Sequence, residues 1–245
     1  MSVRALDEGR VRVLALDRPE VRNALNAALR TDLIEALHAA EADESVGAVV
    51  LTGEGKCFAA GADLKELLAR GSEEQRDFLR PPHIYSVVEG LAKPVVAAVN
   101  GHALGAGLEL ATACDARIAH PAAKLGQPEI HLALIPGGGG TQRLVRLIGS
   151  GQAARLVLTG DPVTAAEALA MGLVDEVAED PVGRAVALAA AMARHDPRAL
   201  AEAKRALRTA LELPYREGLE AEAEAFVGLH ARDAARRRIQ AFLER

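Results

Sequence analysis

The sequence of 245 residues lacks several features that would point to particular classes of protein. Cys57 and Cys114 are its only cysteines and have no CxxC spacing, which argues against a zinc ribbon or a disulfide framework and fits a reducing cytosol. The seven histidines show no HxxxH or HExxH spacing, so no metal site is predicted. The amino terminus has neither the apolar stretch of a signal peptide nor a membrane-spanning run, and we therefore expect a cytoplasmic protein.

Charge and composition further narrow the classes of protein to which this chain could belong. The net charge is -5, and an acidic chain without a basic stripe is poorly suited to bind nucleic acid. Hydrophobic residues make up 50% and charged residues 26% of the chain, as in ordinary globular proteins and unlike disordered ones. The chain is long enough to bury one large core, so we expect a single catalytic-sized domain that folds unaided.

Hydrophobic periodicity predicts an α/β fold, because short apolar strands alternate with helical segments in an order that recurs along the chain. From Gly183 onward only helical spacing remains, interrupted at Pro197 and Pro214. We therefore predict a core over residues 1–182 and a helical region over 183–245 that belongs to the same functional unit and docks on a neighbouring subunit. The predicted strands are 11–16, 47–51, 94–99 and 116–119, and the predicted helices are 23–42, 73–90, one that begins near residue 106, and 141–148.

Two glutamates are the best candidates for acid–base chemistry. Glu109 ends the segment GAGLE over residues 105–109, and Glu129 ends the segment GQPE over residues 126–129. Glycine beside each acid lets the backbone and a ligand approach closely. Because acid–base work on a small molecule needs carboxyl groups close together, the pair is predicted to be catalytic.

Two turns of small residues are candidates for binding a developing negative charge. The segment FAAGADL at 58–64 follows an apolar strand, and Asp63 is placed to cap a helix that begins at Leu64, which leaves the amide of Ala62 uncovered. The turn at Ala106 has the same character. Two N–H donors on one oxyanion contribute about 3–4 kcal/mol each in acyl chemistry. Taken alone, each turn is more often a glycine-assisted bend in a tight core.

The run of four glycines at 137–140 is not a phosphate-binding loop, because the chain has no GxxxxGK[ST] motif and no dinucleotide fingerprint after a first strand. It is interpreted as a wall that lets a ligand pass close to the backbone. Arg143 and Arg146 on the following helix suit either a ligand phosphate or ion pairs, and solvated or intersubunit ion pairs are favoured.

An ordered series of motifs across nearly the whole chain resembles the crotonase, or enoyl-CoA hydratase, family. The series is DRP at 17–19, NAL at 23–25, FAAGAD at 58–63, NGHALGAGLE at 100–109, GQPE at 126–129, IPG at 135–137, QRL at 142–144 and ALAMGLV at 168–174. One short motif arises by chance, whereas this ordered series hardly would. The resemblance implies an α/β spiral of repeated ββα units, with carboxy-terminal helices that mediate a homotrimer or a hexamer.

The resemblance also implies roles for the candidate residues. The amides of Ala62 and Ala106 would form an oxyanion hole for a thioester enolate, Glu109 and Glu129 would be the catalytic carboxylates, and the amide of Gly137 would contact water or substrate. Relatives that isomerise, decarboxylate or hydrolyse commonly replace one or both glutamates, so their retention favours a hydratase. Glu109 would activate the water and Glu129 would protonate the α-carbon, but the sequence does not decide which carboxyl carries the proton.

The resemblance implies an acyl-CoA thioester as substrate, no separate cofactor, and a place in fatty acid metabolism and β-oxidation. Coenzyme A contacts would come from Lys56, Phe58, Ala60, Ala62 and Leu64, with Lys65 near the ribose phosphate, and from Phe226 and Arg245 in a segment that often belongs to a neighbouring subunit. A core position for Phe226 and a solvated chain end for Arg245 are the alternatives.

Three questions stay open from the sequence. Residues 67–89, which border the acyl pocket in the family, give no chain-length code, and for Tyr85 and His83 a packed or surface position is favoured over a pocket-lining one. The nearest rival is a double-bond isomerase of the same family, which moves a proton between two carbons. The rival from another class is a non-catalytic CoA- or RNA-binding scaffold, which would not need both glutamates.

Overall fold

The computed structural model describes residues 2–81 and 83–244, in two compact units that meet in sequence at Arg194 and His195. The strands, all in the first unit, are β1 Val3–Glu8, β2 Val11–Leu16, β3 Ala48–Gly53, β4 Cys57–Ala59, β5 Val95–Val99, β6 His102–Leu104, β7 Ala116–Ala119, β8 Lys124–Gly126, β9 Val163–Thr164 and β10 Glu176–Val177. The helices of this unit are α1 Ala27–Ala42, α2 Leu64–Ala69, α3 Ser72–Phe78, α4 Ile84–Gly90, α5 Ala106–Ala113, α6 Gly140–Thr159, α7 Ala165–Ala170 and α8 Pro181–Ala193.

The strands form two sheets that are connected by a repeating path. The larger sheet has the order β1-β2-β3-β5-β7-β10 and the smaller one the order β4-β6-β8-β9. Three times in succession the chain passes through a strand of the larger sheet, then a strand of the smaller sheet, then a helix: β3-β4-α2, β5-β6-α5 and β7-β8-α6. Neighbouring turns pair in parallel, β3 with β5 and β4 with β6. The predicted spiral of ββα units is therefore confirmed.

Both faces of the central strands β3, β5 and β7 are buried, which explains why these strands are largely continuous apolar runs. Val49 and Leu51 of β3 point into the main core with Leu29 and Leu33 of α1. Residues that alternate with them form a second core against α8, where the small side chains of Ala185, Ala189 and Ala193 allow close packing; the sheet residues of this second core are Val11, Val13, Ala48, Val50, Val96, Ala98, Ala116 and Ile118. Helix α8 thus packs on the sheet, and the predicted boundary after residue 182 falls within it.

Most predicted elements match the structure, and the exceptions have local causes. The strand over 116–119 and the helix that begins at Ala106 are confirmed. The single helix predicted over 73–90 is wrong: α3 ends at Phe78 and α4 begins at Ile84, since Pro81 lies between them and disfavours helical backbone before it. Helix α6 continues past the predicted end, through a kink at Gly149, whose φ is 75°.

The second unit is helical, as predicted. It contains α9 Pro197–Thr209, α10 Tyr215–His230 and α11 Asp233–Leu243. Asp196 caps α9 by accepting the Ala199 N–H at 3.0 Å and also accepts a bond from Arg232 Nη1 at 2.7 Å. No helix among residues 2–81 and 83–244 is both long enough and apolar enough to cross a membrane.

Candidate active site

The two turns of small residues lie side by side, because they follow the paired strands β4 and β6 of the smaller sheet. Leu25 forms a parallel β-bridge with Ala62. In this bridge the Leu25 N–H donates to the Gly61 carbonyl at 2.8 Å, and the Asp63 N–H donates to the Leu25 carbonyl. Gly61 has a φ of 120°, and a side-chain carbon placed on it would lie 4.0 Å from the backbone nitrogen of Ala106. Only glycine tolerates that backbone conformation easily, so the sequence GAD allows the first turn to approach the second.

The backbone positions of Ala62 and Ala106 leave the N–H groups of both residues available to bind a ligand. Because the groups that flank Ala62 bond to Leu25, the N–H of Ala62 itself points away from Leu25. Ala106 is the first residue of α5, where backbone N–H groups have no acceptor within the helix. The predicted cap is confirmed, since Asp63 accepts the Lys65 N–H at 3.1 Å.

Glu109 is held in the core by backbone amides of the glycine run. Its side chain lies on α5, is 3% exposed, and accepts at Oε1 the N–H of Gly138 at 2.7 Å and of Gly140 at 2.8 Å. Burial raises the pKa of Glu109, and the two amides, followed by the charges of Arg143 and Arg30, oppose that rise. The other oxygen, Oε2, is left without these bonds.

Glu129 lies on the short 3-10 helix Pro128–Leu132 and faces the turn before α5. A side-chain carbon placed on Gly105 would lie 3.0 Å from Glu129 Oε1, so glycine is needed for this approach, and its φ is 51°. When the buried Gln127 amide is oriented to satisfy its neighbours, its nitrogen donates to both Glu129 oxygens at 3.0 Å. Burial raises the pKa of Glu129 to about 7, and the charge of Glu109 adds to the rise.

The structure brings the two predicted glutamates into one site through shared neighbours. Glu109 donates its backbone N–H to the carbonyl of Gly105, the residue that Glu129 approaches. A side-chain carbon placed on Gly140, whose amide binds Glu109, would lie 2.7 Å from the Gln127 amide, which binds Glu129. The two carboxyl groups therefore have different hydrogen-bond partners, and the charge of Glu109 raises the pKa of Glu129.

Three residues of this site were not predicted from the sequence. Gly138 and Gly140 bind Glu109 through their amides, whereas no bond from the predicted Gly137 amide is found among the described residues. Gln127 was quoted only as part of a motif. The spacing of the glycine run carries no sign of its bonds to Glu109, because these bonds join elements that are distant in the chain.

Arg143 takes part in an ion pair with Glu89 of the same chain, and not in the solvated or intersubunit pair that the sequence favoured. Its Nε donates to Glu89 Oε1 at 2.6 Å and its Nη1 donates to the Gly138 carbonyl at 2.6 Å. The guanidinium therefore holds the same glycine whose amide binds Glu109. Tyr85 is 1% exposed, so the favoured packed position is confirmed for it.

The predicted coenzyme A residues differ in accessibility. Lys56, Lys65 and Leu64 are exposed and Ala60 is half-buried, while the side chain of Phe58 lies wholly in the core. Phe58 therefore offers only its backbone to a ligand at this loop.

The carboxy-terminal residues of the prediction lie in the second unit. Phe226 on α10 is 67% exposed and stacks on His230, with ring centroids 6.2 Å apart, so a core position for it is wrong. Arg245 lies outside the described residues. No group of three or more His, Cys, Asp or Glu residues that could hold a metal is found in residues 2–81 and 83–244.

Comparison with known proteins gives consistent matches over nearly the whole chain. The family model described as enoyl-CoA hydratase/isomerase matches residues 7–245. The 2,3-dehydroadipyl-CoA hydratase of Escherichia coli (strain K12) is 43% identical over 238 residues, which cover 96% of this chain and 93% of that protein. A short-chain-enoyl-CoA hydratase of Clostridium acetobutylicum is 39% identical and covers 97% and 93%. The crystal structure of an enoyl-CoA hydratase from Bacillus anthracis superposes with a TM-score of 0.93 at 38% identity, covering all of this chain and 96% of that one.

Proposed function

We propose that this chain, which belongs to the enoyl-CoA hydratase/isomerase family, adds water reversibly and syn across the 2,3 double bond of a trans-2-enoyl-CoA to give a 3-hydroxyacyl-CoA. The observation that carries this proposal is the pair formed by the buried Glu109 and the half-buried Glu129. Hydration of a conjugated double bond needs one proton removed from water and one delivered to carbon, and two carboxyl groups suffice for both transfers.

The thioester carbonyl would lie between the amides of Ala62 and Ala106. As water adds to the β-carbon, negative charge develops on the thioester oxygen, and two N–H donors fixed in a dry site stabilise it more than water would. The adjacency of the two turns at Gly61 supports this role. The first-residue position of Ala106 on α5 adds a favourable helix dipole.

The two glutamates would divide the proton transfers. Glu109, as carboxylate, takes a proton from water while the water oxygen bonds to the β-carbon. Glu129, as carboxylic acid, gives its proton to the α-carbon of the enolate. The proton on Glu109 then returns to Glu129, which restores the site with one water added. A pKa of about 7 for Glu129 supports this division, because both its forms are populated near neutral pH.

Coenzyme A would bind along the exposed side of the first turn. The proposed contacts are Lys56, Phe58 through its backbone, Ala60, Leu64 and Lys65, with Phe226 and Arg245 from the carboxy-terminal segment. We also propose a homotrimer or a hexamer, in which the exposed apolar faces of the terminal helices are covered, a cytoplasmic location, and a role in fatty acid β-oxidation.

The test is product analysis with crotonyl-CoA in heavy-oxygen water. Hydration gives a product that is heavier by one labelled water, and the absorbance of the conjugated thioester falls. A double-bond isomerase would instead exchange carbon-bound protons for deuterium in heavy water without adding oxygen. Absence of water addition across short, long and aromatic enoyl thioesters would overturn the proposal.

A further inference from the structure

The glycine run at 137–140 is held by a side chain of the helix that follows it. Arg143 lies near the start of α6, where its backbone N–H donates to the Gly139 carbonyl at 2.9 Å. Its side chain turns back toward the amino end of the helix, and its Nη1 donates to the Gly138 carbonyl at 2.6 Å. A side-chain carbon placed on Gly139 would overlap the same nitrogen, so the guanidinium group lies directly against the run.

The carbonyl that Arg143 binds belongs to the peptide unit between the two units that donate to Glu109. The Gly138 N–H is part of the preceding peptide unit and the Gly140 N–H is part of the following one, and both donate to Glu109 Oε1. Consecutive glycines have a wide range of backbone conformations, and fixing one of them is costly in entropy. A bond to the middle unit therefore restrains both donors at once.

Glu89 on α4 holds the guanidinium group in its turn. Its Oε1 accepts the Arg143 Nε–H at 2.6 Å, and the two side chains are 28% and 15% exposed. Charge-assisted hydrogen bonds of this length are strong, and solvent screens partly buried pairs less than exposed ones. Because the donors of a guanidinium group point in fixed directions, the bonds to Glu89 and Gly138 together define how Arg143 is oriented. These contacts connect α4 to the amides that bind Glu109.

A second buried cation lies near Glu109 but bonds elsewhere. Arg30 on α1 is 8% exposed, and its guanidinium carbon lies 5.7 Å from the ring centroid of Tyr85, as does that of Arg143. The Nε of Arg30 donates weakly to the Leu25 carbonyl at 3.4 Å, and its guanidinium group interacts with the Tyr85 hydroxyl. Arg30 thus supplies a positive charge without a bond to the glycine run in the described part of the chain.

The charge on Glu109 depends on groups from several elements. Burial raises the pKa of Glu109, the two amides of the glycine run lower it, and the charges of Arg143 and Arg30 lower it further. The titratable and charged side chains around the site are Arg30 of α1, His83, Tyr85 and Glu89 of the α4 region, Glu129 of the short 3-10 helix and Arg143 of α6.

We propose that Arg143 is a positioning residue for Glu109: it fixes the glycine run whose amides hold the carboxylate, and Glu89 orients its guanidinium group. This inference rests on the proposed function, in which Glu109 takes a proton from water. A base must lie within hydrogen-bond reach of that water and point toward it. A misplacement of about 1 Å lowers the rate by about 100-fold, so a glycine run that is free to move would be harmful.

Hydration of crotonyl-CoA by Arg143→Gln tests the positioning role. At the maximum of its pH profile, kcat should be about 10- to 100-fold below that of the wild type, while KM changes less than about 3-fold. Glu89→Ala should lower kcat by about 3- to 10-fold, and the double variant should be no slower than Arg143→Gln, because both changes act on one path. Arg146→Gln is the matched control on the same helix: Arg146 is exposed and donates to the Gln142 carbonyl, so kcat should not change. Circular dichroism should show that all variants keep their fold.

Two variants separate positioning from charge. Arg30→Gln removes the second cation but leaves the glycine run held. The acid limb of its pH profile should move to higher pH as the pKa of Glu109 rises, while maximal kcat stays within about 3-fold of the wild type. Arg143→Lys keeps the charge but not the fixed directions of the donors, so the limb should stay in place while kcat recovers only in part. Wild-type maximal kcat in Arg143→Gln, full recovery in Arg143→Lys, or equal losses in Arg30→Gln and Arg143→Gln would overturn the proposal.

Nuclear magnetic resonance with ¹⁵N-labelled glycine follows the same contact without turnover. The Gly138 amide proton should shift in Arg143→Gln and in Glu109→Gln, which removes the charged acceptor, and should stay in place in Arg146→Gln. If the wild type hydrates no enoyl thioester but this pattern is seen, the proposed function fails and the positioning role stands. If the wild type hydrates crotonyl-CoA while Arg143→Gln leaves both kcat and the Gly138 resonance unchanged, the proposed function stands and this inference fails.

Discussion

Replacing Glu129 with glutamine should stabilise the protein, and the gain should appear only as the pH rises. The folded state holds the pKa of Glu129 at about 7, against a reference value of 4.5. Between those values the folded protein binds a proton that the unfolded chain has released, so the free energy of unfolding falls as the pH rises through this window. Well above pH 7 the half-buried Glu129 is charged beside Glu109, and the loss of stability is complete.

The size of the gain follows from the shift and the burial of Glu129. The full shift corresponds to about 3 kcal/mol at 1.36 kcal/mol per pKa unit. Glu129 is only partly buried, and solvent screening lowers the figure, so we expect about 1–2 kcal/mol. The Glu129→Gln variant keeps an oxygen that accepts from Gln127, so its other contacts change little. It should match the wild type near pH 4.5 and exceed it at about pH 8.5.

Urea unfolding followed by circular dichroism is the assay, because the chain has no tryptophan for fluorescence. Wild type and variant are compared at one protein concentration across the pH range, since any oligomer would couple stability to concentration. Glu167→Gln is the control with the opposite sign: hydrogen bonds from the backbone and hydroxyl of Thr164 lower the pKa of Glu167, so its variant should lose stability at high pH. A Glu129→Gln variant that is no more stable than the wild type at about pH 8.5 would refute the reasoning.

Two further substitutions test how the site is built. Gly138→Ala places a carbon against the Tyr85 ring and 2.6 Å from Glu109 Oε2, so kcat for crotonyl-CoA should fall by about 100-fold. Circular dichroism should show that the variant keeps its fold. Gly151→Ala is the control and should leave kcat unchanged, because a carbon added there has no neighbour within 4 Å. Asn23→Ala removes a buried side chain that donates to the Glu54 carbonyl at 3.0 Å and the Cys57 carbonyl at 2.8 Å. Urea unfolding should show that the free energy of unfolding falls by about 2–4 kcal/mol. A fall below about 0.5 kcal/mol would contradict a stabilising role for these two hydrogen bonds.

Local sequence patterns were sufficient to predict elements that depend mainly on interactions between neighbouring residues. The strand at 116–119 is a short apolar run, and Asp63 caps α2 through a bond that spans two residues. The helix predicted over 73–90 failed because apolar spacing continues through Pro81 even though the backbone cannot follow it. A local rule about proline could have corrected that prediction.

Local sequence patterns did not predict the contacts between residues that are distant in the chain. The sequence indicated Glu109 and Glu129, but the amides that bind Glu109 lie 29 and 31 residues away, and nothing at Gly138 or Gly140 marks them as donors. Arg30 stands among polar residues of α1 and reads as a surface cation. It is buried because it lies against the rings of Phe78 and Tyr85, and this packing exists only in the folded chain.

Steady-state hydration of crotonyl-CoA by the wild type, Glu109→Gln and Glu129→Gln tests most directly the claim that two glutamates act on one water. Each variant should lower kcat by about 100- to 10,000-fold, while KM changes far less, because the lost proton transfer belongs to the transition state. Circular dichroism establishes that both variants are folded. Near-normal turnover by either folded variant would contradict the claim.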